Sequence, residues 1–346
     1  MSGAVPGRDR LVEVERDRWD ELLERLDIAD AYLLAGYLEA SAVIEEGRPA
    51  LLHLAGVGGD VVFACLVRDV PGADGARDVT TPYGYGGPVA AGGDPPVERF
   101  HERYEAWAAE NGVVTTFVRY HPLFENWRRA APKAELERLA DTATWPLRPG
   151  ADLYEGMHAK HRADCRKAER ADVEVSLQVS PALEEFAALY GRTMRSREAS
   201  SFYLFPSAYW SLLGERFGAR LLVADARLDG DLVASTLCLA TRPWLHYHLA
   251  ATDDAGRAVG ASKLVLLEVA RWGQHNGFVE LHLGGGLGGR EDSIWKFKHR
   301  FSSAPSRQFW IGKLVHDAAR YRELAGRDDT DGYFPPYRGA PATGAE

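Results

Sequence analysis

The sequence predicts an α/β protein in which two domains of the same organisation follow one another, each with a mixed sheet flanked by helices. The chain has 346 residues, which exceeds the ~250–300 residues at which a single hydrophobic core stops growing. Two stretches also share the pattern Trp-x-x-x-Asn-Gly-x-Val, namely residues 107–118 (WAAENGVVTTFV) and 272–283 (WGQHNGFVELHL). Each copy is typical of an amphipathic helix that ends at a glycine and is followed by a strand.

A predicted hairpin precedes each copy. The first, LLHLAGVGGDVVFACLV, is expected to turn at Gly58-Gly59, and the second, RLLVADARLDGDLVASTLCLA, at Asp229-Gly230. The order of helices, hairpin, strand, helix and strand in each half resembles a GNAT acetyltransferase domain. We therefore expect two tandem GNAT-like domains. The alternative is two unrelated α/β stretches that share common helix-end chemistry.

The domain boundary is predicted near residue 150, because two prolines and a glycine in residues 146–150 (PLRPG) interrupt helix and strand alike. Domain 1 is expected to cover residues 11–150 and domain 2 residues 151–304. Residues 305–337, a predicted strand and helix, are expected to pack back on domain 1. Residues 1–10 and 338–346 are expected to be flexible tails, because they are rich in glycine, alanine and polar residues.

Composition limits the classes of function. The net charge of -9 argues against nonspecific coating of nucleic acid, although this net charge does not exclude a local basic face. No apolar run approaches the ~20 residues of a membrane span, so a soluble, cytoplasmic protein is expected. Three widely spaced cysteines fit neither a disulfide framework nor a zinc site. His246 and His248 have metal-ligand spacing but no third ligand nearby in sequence, so the sequence predicts neither a metal nor a cofactor.

The segment LGGGLGGREDSIWKFKHRF contains the strongest candidate for catalysis. Gly285 and Gly286 follow a predicted strand, where a missing side chain lets a ligand approach the backbone. Asp292 and Ser293 are predicted to begin a helix with one apolar face. Lys298 lies beside that face and can reach a cleft while its stem stays packed. The alternative is a solvated surface lysine.

Two further segments are candidates for binding the donor. Arg257 and Gly260 belong to Arg-x-x-Gly-Ala-Ser, which nearly matches the loop that holds the pyrophosphate of coenzyme A, with Ser262 as the predicted cap of the next helix. An ordinary capped helix is the alternative. In MHAKHRADCRKAER, Arg162, Arg166 and Arg170 recur every four residues and are expected to form one helical ridge, with Lys160 and Lys167 alongside it. Such a ridge suits RNA or diphosphate, and a solvated face is the alternative.

Aromatic and basic side chains mark two candidate substrate-binding segments. TTPYGYGGPVAAGG places Tyr83 and Tyr85 in a Gly/Pro loop, where rigid rings with hydroxyl groups suit a polar ligand such as a sugar or peptide. Packing within a structured turn is the alternative for both. TMRSREASSFYLFPSAYW contains Arg195, Arg197, Tyr203 and Tyr209, which suit an acidic or glycosyl substrate.

Taken together, these motifs resemble the Fem family of the FemX/FemA/FemB type. The similarity lies in TPYGYGGPV, KHRADCRKAER, YHLAA, and HLGGG followed by DSIWKFKHRFS. It implies two GNAT-like domains in one chain and transfer of an amino acid from aminoacyl-tRNA to the peptide of a peptidoglycan precursor. By motif, the lysine that assists transfer is Lys298, preceded by Phe297. Tyr247, with His248 beside it, is assigned to the acceptor site together with the Arg/Tyr-rich segment.

Three functions follow as hypotheses. The first is transfer from aminoacyl-tRNA to a cell-wall precursor or a related amine-bearing metabolite, with a membrane-surface substrate compatible with it. The second is acyl-CoA-dependent N- or O-acylation of a polysaccharide or small molecule, motivated by RAVGAS. The third is a non-catalytic module that binds a sugar-peptide ligand.

Overall fold

The computed structural model describes residues 10–339. Strands β1–β14 are, along the chain, Val12–Glu13, Arg48–Ala55, Gly58–Asp69, Arg77–Thr80, Val89–Asp94, Val113–Arg119, Glu135–Arg138, Ala143–Pro146, Glu174–Val179, Leu221–Leu228, Asp231–Thr241, Trp244–Thr252, Glu280–Gly284 and Trp310–Val315. Helices α1–α10 are Arg16–Arg25, Ala35–Glu45, Val97–Glu110, Ala159–Arg170, Glu184–Ser196, Ser207–Phe217, Asp254–Val259, Ala261–His275, Ser293–His299 and Ala318–Ala325. The tails expected at the two ends of the chain fall almost entirely outside the described residues.

The first unit comprises residues 10–139 and 309–339 of the described chain. Its sheet has the order β1-β2-β3-β4-β6-β14-β7, and β5 also pairs with β3. Strands β4 and β6 are parallel, whereas β14 returns from the end of the chain to pair antiparallel with β6. Helix α3 packs on this sheet through Phe100, Tyr104 and Ala108, which are buried at helical spacing.

The second unit comprises residues 140–308. Its sheet has the order β8-β13-β12-β11-β10-β9, with β12 and β13 as its parallel pair. The tight turn between β10 and β11 uses Asp229 and Gly230, both with positive φ, as the sequence predicts. Helix α8 packs on one face of the sheet. The apolar side chains that it buries there lie between Ala261 and Ala270, before Trp272.

The repeated Asn-Gly motif has the same geometry in both units. Helices α3 and α8 end immediately before Asn111 and Asn276, and the following glycines have φ of 67° and 74°. In each copy the asparagine Nδ2 donates to the carbonyl of the tryptophan four residues earlier, at 2.8 Å. The predicted fold class, α/β with two tandem GNAT-like domains, is therefore confirmed.

The structure places the division between the units about ten residues earlier than PLRPG indicates. Strand β8 lies before those prolines, yet it pairs antiparallel with β13 of the second unit. Residues 305–308 likewise belong to the second unit, since Arg307 exchanges backbone hydrogen bonds with Thr142. A break in local pattern does not reveal the boundary, because sheet pairing is decided by residues distant in sequence.

The carboxylate of Glu105 on α3 is expected to make the stability of the first unit depend on pH in the acid range. Burial acts to raise the pKa of Glu105, but hydrogen bonds from His316 and Lys133 outweigh it and hold this pKa below its ordinary value. A depressed folded-state pKa contributes stability above the unfolded-state value, and that contribution is lost as the pH falls through the folded-state pKa. Between about pH 5 and pH 3, a range around the pKa of a carboxylate in a model peptide, we expect the free energy of unfolding to change less in Glu105→Gln than in the wild type.

Denaturant unfolding at several pH values measures this difference. Glu102→Gln, at an exposed position on the same helix, is the matched control and should follow the wild-type profile. An identical acid response in the Glu105→Gln variant and the wild type would show that the hydrogen-bonded carboxylate does not contribute.

Within the described part of the chain, no helix is long and apolar enough to cross a membrane.

Candidate functional site

The candidate site lies where two parallel strands of the second unit end. Strands β12 and β13 pair only from Trp244 to His246 and from Glu280 to His282, so their carboxyl ends are not joined by ladder hydrogen bonds. On the other side of β12, Tyr247 pairs with Cys238 and Leu249 with Leu237, which leaves His248 as an extra residue. Such a bulge redirects side chains at a site, and the carboxyl ends of parallel strands are the usual ligand position in open α/β sheets.

A glycine turn connects β13 to the short helix α9. A Cβ on Gly286 would lie 2.0 Å from the carbonyl oxygen of Arg290 and 2.4 Å from Oδ1 of Asp292, so only glycine fits there. The same Asp292 carboxylate caps α9 by accepting from the Trp295 amide at 2.8 Å and from the Leu287 amide at 3.1 Å. The predicted helix start at Asp292 and Ser293 is confirmed, and Gly286 serves the turn itself.

Lys298 extends from α9 back to the end of β13. Its Nζ donates to the carbonyl oxygen of Gly285 at 2.8 Å and lies 5.2 Å from the ring centroid of Tyr247. Burial lowers the pKa of the Lys298 ammonium to about 8, although Asp292 acts in the opposite direction. Three residues that the sequence selected separately, Lys298, Gly285 and Tyr247, thus meet at one point.

The strand next to the lysine contains two more polar groups. Burial raises the pKa of Tyr247 well above its ordinary value, so its hydroxyl stays protonated. Nε2 of His248 is hydrogen-bonded to the hydroxyl of the buried Tyr209 at 3.0 Å, and burial lowers the pKa of His248 to about 3. His248 is therefore a neutral hydrogen-bonding group at physiological pH.

Only some residues of the Arg/Tyr-rich segment act on Tyr247 or His248. Arg195 and Arg197, at the end of α5, are exposed, and the positive charge of Arg197 acts on Tyr247, whose pKa it lowers slightly against the effect of burial. Tyr203 stacks edge-on against Phe202, with ring centroids 5.3 Å apart. Tyr209, the fourth residue that the sequence indicates in this segment, contacts the bulged strand through its hydrogen bond with His248.

The predicted donor loop is helical. Residues Asp254–Val259 form α7, capped by Asp253, and Gly260 with φ of 86° leads directly into α8. The Gly260 amide donates to the carbonyl of Gly256 at 3.0 Å, and Arg257 contacts Asp254 and the Thr252 carbonyl. The prediction that Ser262 caps α8 is wrong, because the N-cap residue is Gly260.

The basic segment forms α4, as expected, but its side chains have different environments. Arg162 turns back to the carbonyls of Met157 and Tyr154 and is only partly exposed. Lys167 donates to the carbonyl of Ala258 at 2.6 Å and so joins α4 to α7. Arg166 is exposed. The ridge of equivalent cations that the spacing predicts is thus divided between packing and surface positions.

Tyr83 and Tyr85 belong to the first unit. The carbonyl of Tyr83 accepts from the hydroxyl of Tyr37. The ring of Tyr85 packs edge-on against Tyr32 and Phe309, with 5.3 Å between centroids in each case. Within the first unit the ring of Tyr85 thus takes part in an aromatic cluster, which the Tyr83 carbonyl joins through its bond with Tyr37.

His161 is the important residue that the sequence selection missed. It lies among the lysines and arginines of KHRADCRKAER, but it is buried and its Nε2 contacts the carbonyl oxygen of Phe297 at 2.9 Å. The signal was present in the spacing, because His161, Cys165 and Ala168 recur at i, i+4 and i+7 and form the buried face of α4. Phe297 thus faces α4, while the adjacent Lys298 extends to Gly285 and Tyr247.

Comparison with protein families agrees with the architecture of the second unit. Residues 157–297 match the family described as "Acetyltransferase (GNAT) domain". The matched region includes α4, α8 and most of α9. None of the curated proteins matches the sequence significantly.

Solved structures extend the likeness over both units. The crystal structure of FemX matches with a TM-score of 0.66 and 10% identity over 92% of this chain and 100% of that chain. The C-terminal domain of an Agrobacterium fabrum protein described as a lysylphosphatidylglycerol synthetase matches with a TM-score of 0.55 and 13% identity, over 88% and 94% of the two chains. A tandem GNAT protein from the clavulanic acid biosynthesis pathway matches with a TM-score of 0.51 and 12% identity, over 89% and 98%. The similarity to the Fem family is thus confirmed for the fold.

Proposed function

We propose that the protein transfers an amino acid from aminoacyl-tRNA to an amine acceptor, such as the peptide of a peptidoglycan precursor or a related amine-bearing metabolite. The observation that carries the proposal is the position of Lys298, whose Nζ is 2.8 Å from the Gly285 carbonyl at the carboxyl ends of β12 and β13. The fold of FemX and the Phe-Lys motif favour an aminoacyl group as the acyl group. The lysylphosphatidylglycerol synthetase likeness also points to amino-acid transfer.

The reaction requires stabilisation of one developing charge. The acceptor amine attacks the ester carbonyl, a carbon–nitrogen bond forms, and the bond to the ribose oxygen of the tRNA breaks as that oxygen takes up a proton. The carbonyl oxygen carries negative charge in between, and a donor placed about 2.7–3.1 Å from it lowers the barrier. The Lys298 ammonium supplies that donor. With a pKa of about 8 it is predominantly protonated at neutral pH.

Positioning provides the remainder of the rate enhancement in this scheme. Among the described side chains around Lys298 no carboxylate contacts Nζ as a general base, while Asp292 is occupied in capping α9. Holding amine and ester together contributes up to about 7–11 kcal/mol in favourable systems. His248, which the buried Tyr209 holds at 3.0 Å, and the protonated Tyr247 offer hydrogen bonds to orient the acceptor.

The environment of Gly260 removes one of the amide groups that a coenzyme A site at the start of α8 would use. A pyrophosphate at a helix start needs amide groups that point outward, but the Gly260 amide is bonded inside the chain. A Cβ at Gly260 would lie 2.9 Å from the carbonyl oxygen of Asp164, so α4 packs closely against this end of α8. The exposed Arg166 on α4 is available to an RNA phosphate.

Incubation with a pool of charged tRNAs and a set of amine acceptors tests the donor. We expect a new amide product, detected by mass spectrometry, and its loss when the charged tRNA is treated with ribonuclease before the reaction. The same acceptors incubated with acyl-CoAs in place of charged tRNA are the parallel assay.

Each outcome has a distinct interpretation. Product that forms with acyl-CoA and persists after ribonuclease treatment would replace the proposal by acyl-CoA-dependent acylation. Binding of a sugar-peptide ligand that is unaffected by Lys298→Ala, without transfer from either donor, would indicate a binding module.

A further inference from the structure

The helix that carries Lys298 is too short to hold its own position. Helix α9 has seven residues, Ser293–His299, and isolated helices of that length are not stable in water. The last carbonyls of any helix also lack partners within it. Groups from other elements must therefore fix the direction of α9 and of its lysine.

The amino-terminal end of α4 supplies two of those groups, while Trp295 Nε1 of α9 donates to the carbonyl of Asp141 at 2.8 Å. The His158 amide donates to the carbonyl of Arg300 at 2.8 Å, and Nε2 of His161 lies 2.9 Å from the carbonyl oxygen of Phe297. Because a carbonyl only accepts, Nε2 of His161 carries the proton and donates it. The start of one helix thus satisfies the end of the other.

The surroundings of His161 keep the imidazole in this one form. Its ring packs against Phe301 and Phe297, with centroids 4.5 Å and 5.3 Å away, and Nδ1 is buried without a hydrogen-bond partner among the described residues. Burial lowers the pKa of His161 to about 4, and the charges of Lys263 and Arg300 act in the same direction against Asp164. The neutral Nε2–H tautomer is therefore the donor at physiological pH.

The hydrogen bond between His161 and Phe297 is separated from Lys298 by a single peptide bond. Phe297 and Lys298 are adjacent, so the carbonyl that His161 holds belongs to the peptide unit from which the lysine extends. Lys298 in turn donates to Gly285 and faces the ring of Tyr247. Without the His161 bond the Phe297 carbonyl would keep only the Arg300 amide, at 3.3 Å, so the last turn of α9 would be held less firmly and the ammonium would be more open to water.

We infer that His161 is a positioning residue for the transfer reaction: its hydrogen bond to Phe297 fixes the last turn of α9 and thereby directs Lys298. This inference rests on the function proposed above. His161 does not contact the reacting atoms and acts through the backbone of α9.

Two substitutions separate the hydrogen bond from the volume of the ring. His161→Leu fills the pocket but removes the donor, whereas His161→Gln places an amide NH₂ at the position of Nε2. We expect kcat of the leucine variant to fall about tenfold or more, with KM within about twofold of the wild type, a pattern that reflects a lost contribution to the transition state. The glutamine variant should recover most of kcat.

The titration of Lys298 gives a readout that needs no substrate. Competitive labelling with acetic anhydride at a series of pH values, followed by site-resolved mass spectrometry, reports its pKa. The charged groups around Lys298 are Asp292 and, beyond Tyr247, Arg197, and neither is altered by the substitution. We expect the pKa of about 8 to rise towards the ordinary lysine value in His161→Leu and to stay near 8 in His161→Gln.

His101→Leu is the matched control, because His101 is also buried and its Nε2 lies 2.9 Å from a backbone carbonyl, that of Arg129 in the first unit. This variant should lose thermal stability without a change in the titration of Lys298. An unchanged lysine titration in His161→Leu, or a change of equal size in His101→Leu, would overturn the inference. Absence of transfer by the wild-type protein would instead refute the proposed function and leave the titration result intact.

Discussion

Replacement of Lys298 by alanine is expected to lower kcat for aminoacyl transfer by about 10²–10³-fold, the usual effect of removing one donor to a developing oxyanion. The reason is that no other described cation contacts the carbonyl of Gly285, which marks the end of β13. Donor binding should change little, because the ammonium acts on charge that develops during the reaction. Steady-state kinetics with a charged tRNA and a saturating acceptor measure both quantities.

The proposed role of Lys298 also predicts how the transfer rate depends on pH. The active ammonium is lost as the pH rises through about 8, so the wild-type rate should fall above that value. Lys296→Ala is the matched control, since Lys296 is exposed on the same helix, and it should retain wild-type kcat and the same alkaline limb. Full activity of Lys298→Ala would exclude the proposed role of the lysine.

Substitution of Gly286 by alanine is expected to have the next largest effect. The added Cβ would overlap the carbonyl of Arg290 and the carboxylate of Asp292, at 2.0 Å and 2.4 Å. Overpacking of this kind costs about 1–3 kcal/mol of stability, and relief of the overlap would displace the Asp292 cap of α9. We therefore expect both a lower free energy of unfolding and a loss of transfer activity.

Gly285→Ala is a matched control one residue away. A Cβ at Gly285 meets its nearest atom, in the Thr142 side chain, at 3.7 Å, an ordinary contact distance. Chemical denaturation should therefore distinguish the two alanine variants clearly, with the free energy of unfolding of Gly285→Ala close to that of the wild type. Equal effects of the two substitutions would mean that the turn tolerates a rearrangement that the distances do not indicate.

Local patterns account for most of what the sequence predicted correctly. The repeated Trp-x-x-x-Asn-Gly motif indicates the duplicated fold because a helix stop depends only on neighbouring residues, here an asparagine that bonds back to the tryptophan and a glycine with positive φ. The helix start at Asp292 follows from capping for the same reason. Lys298, Gly285 and Tyr247 could be selected individually, and the structure brings them together.

Tertiary structure alone decided which of the selected residues reach the site. Arg162, Lys167 and Arg257 are residue types that commonly bind anions, but each donates to a carbonyl within the second unit. The pairing of β8 with β13, which moves the division between the units, and the contact of His161 with Phe297 join residues 134–141 positions apart in sequence. Local propensity determines where elements begin and end, whereas strand partners and buried hydrogen bonds depend on contacts between distant segments, and those are fixed only when the chain packs.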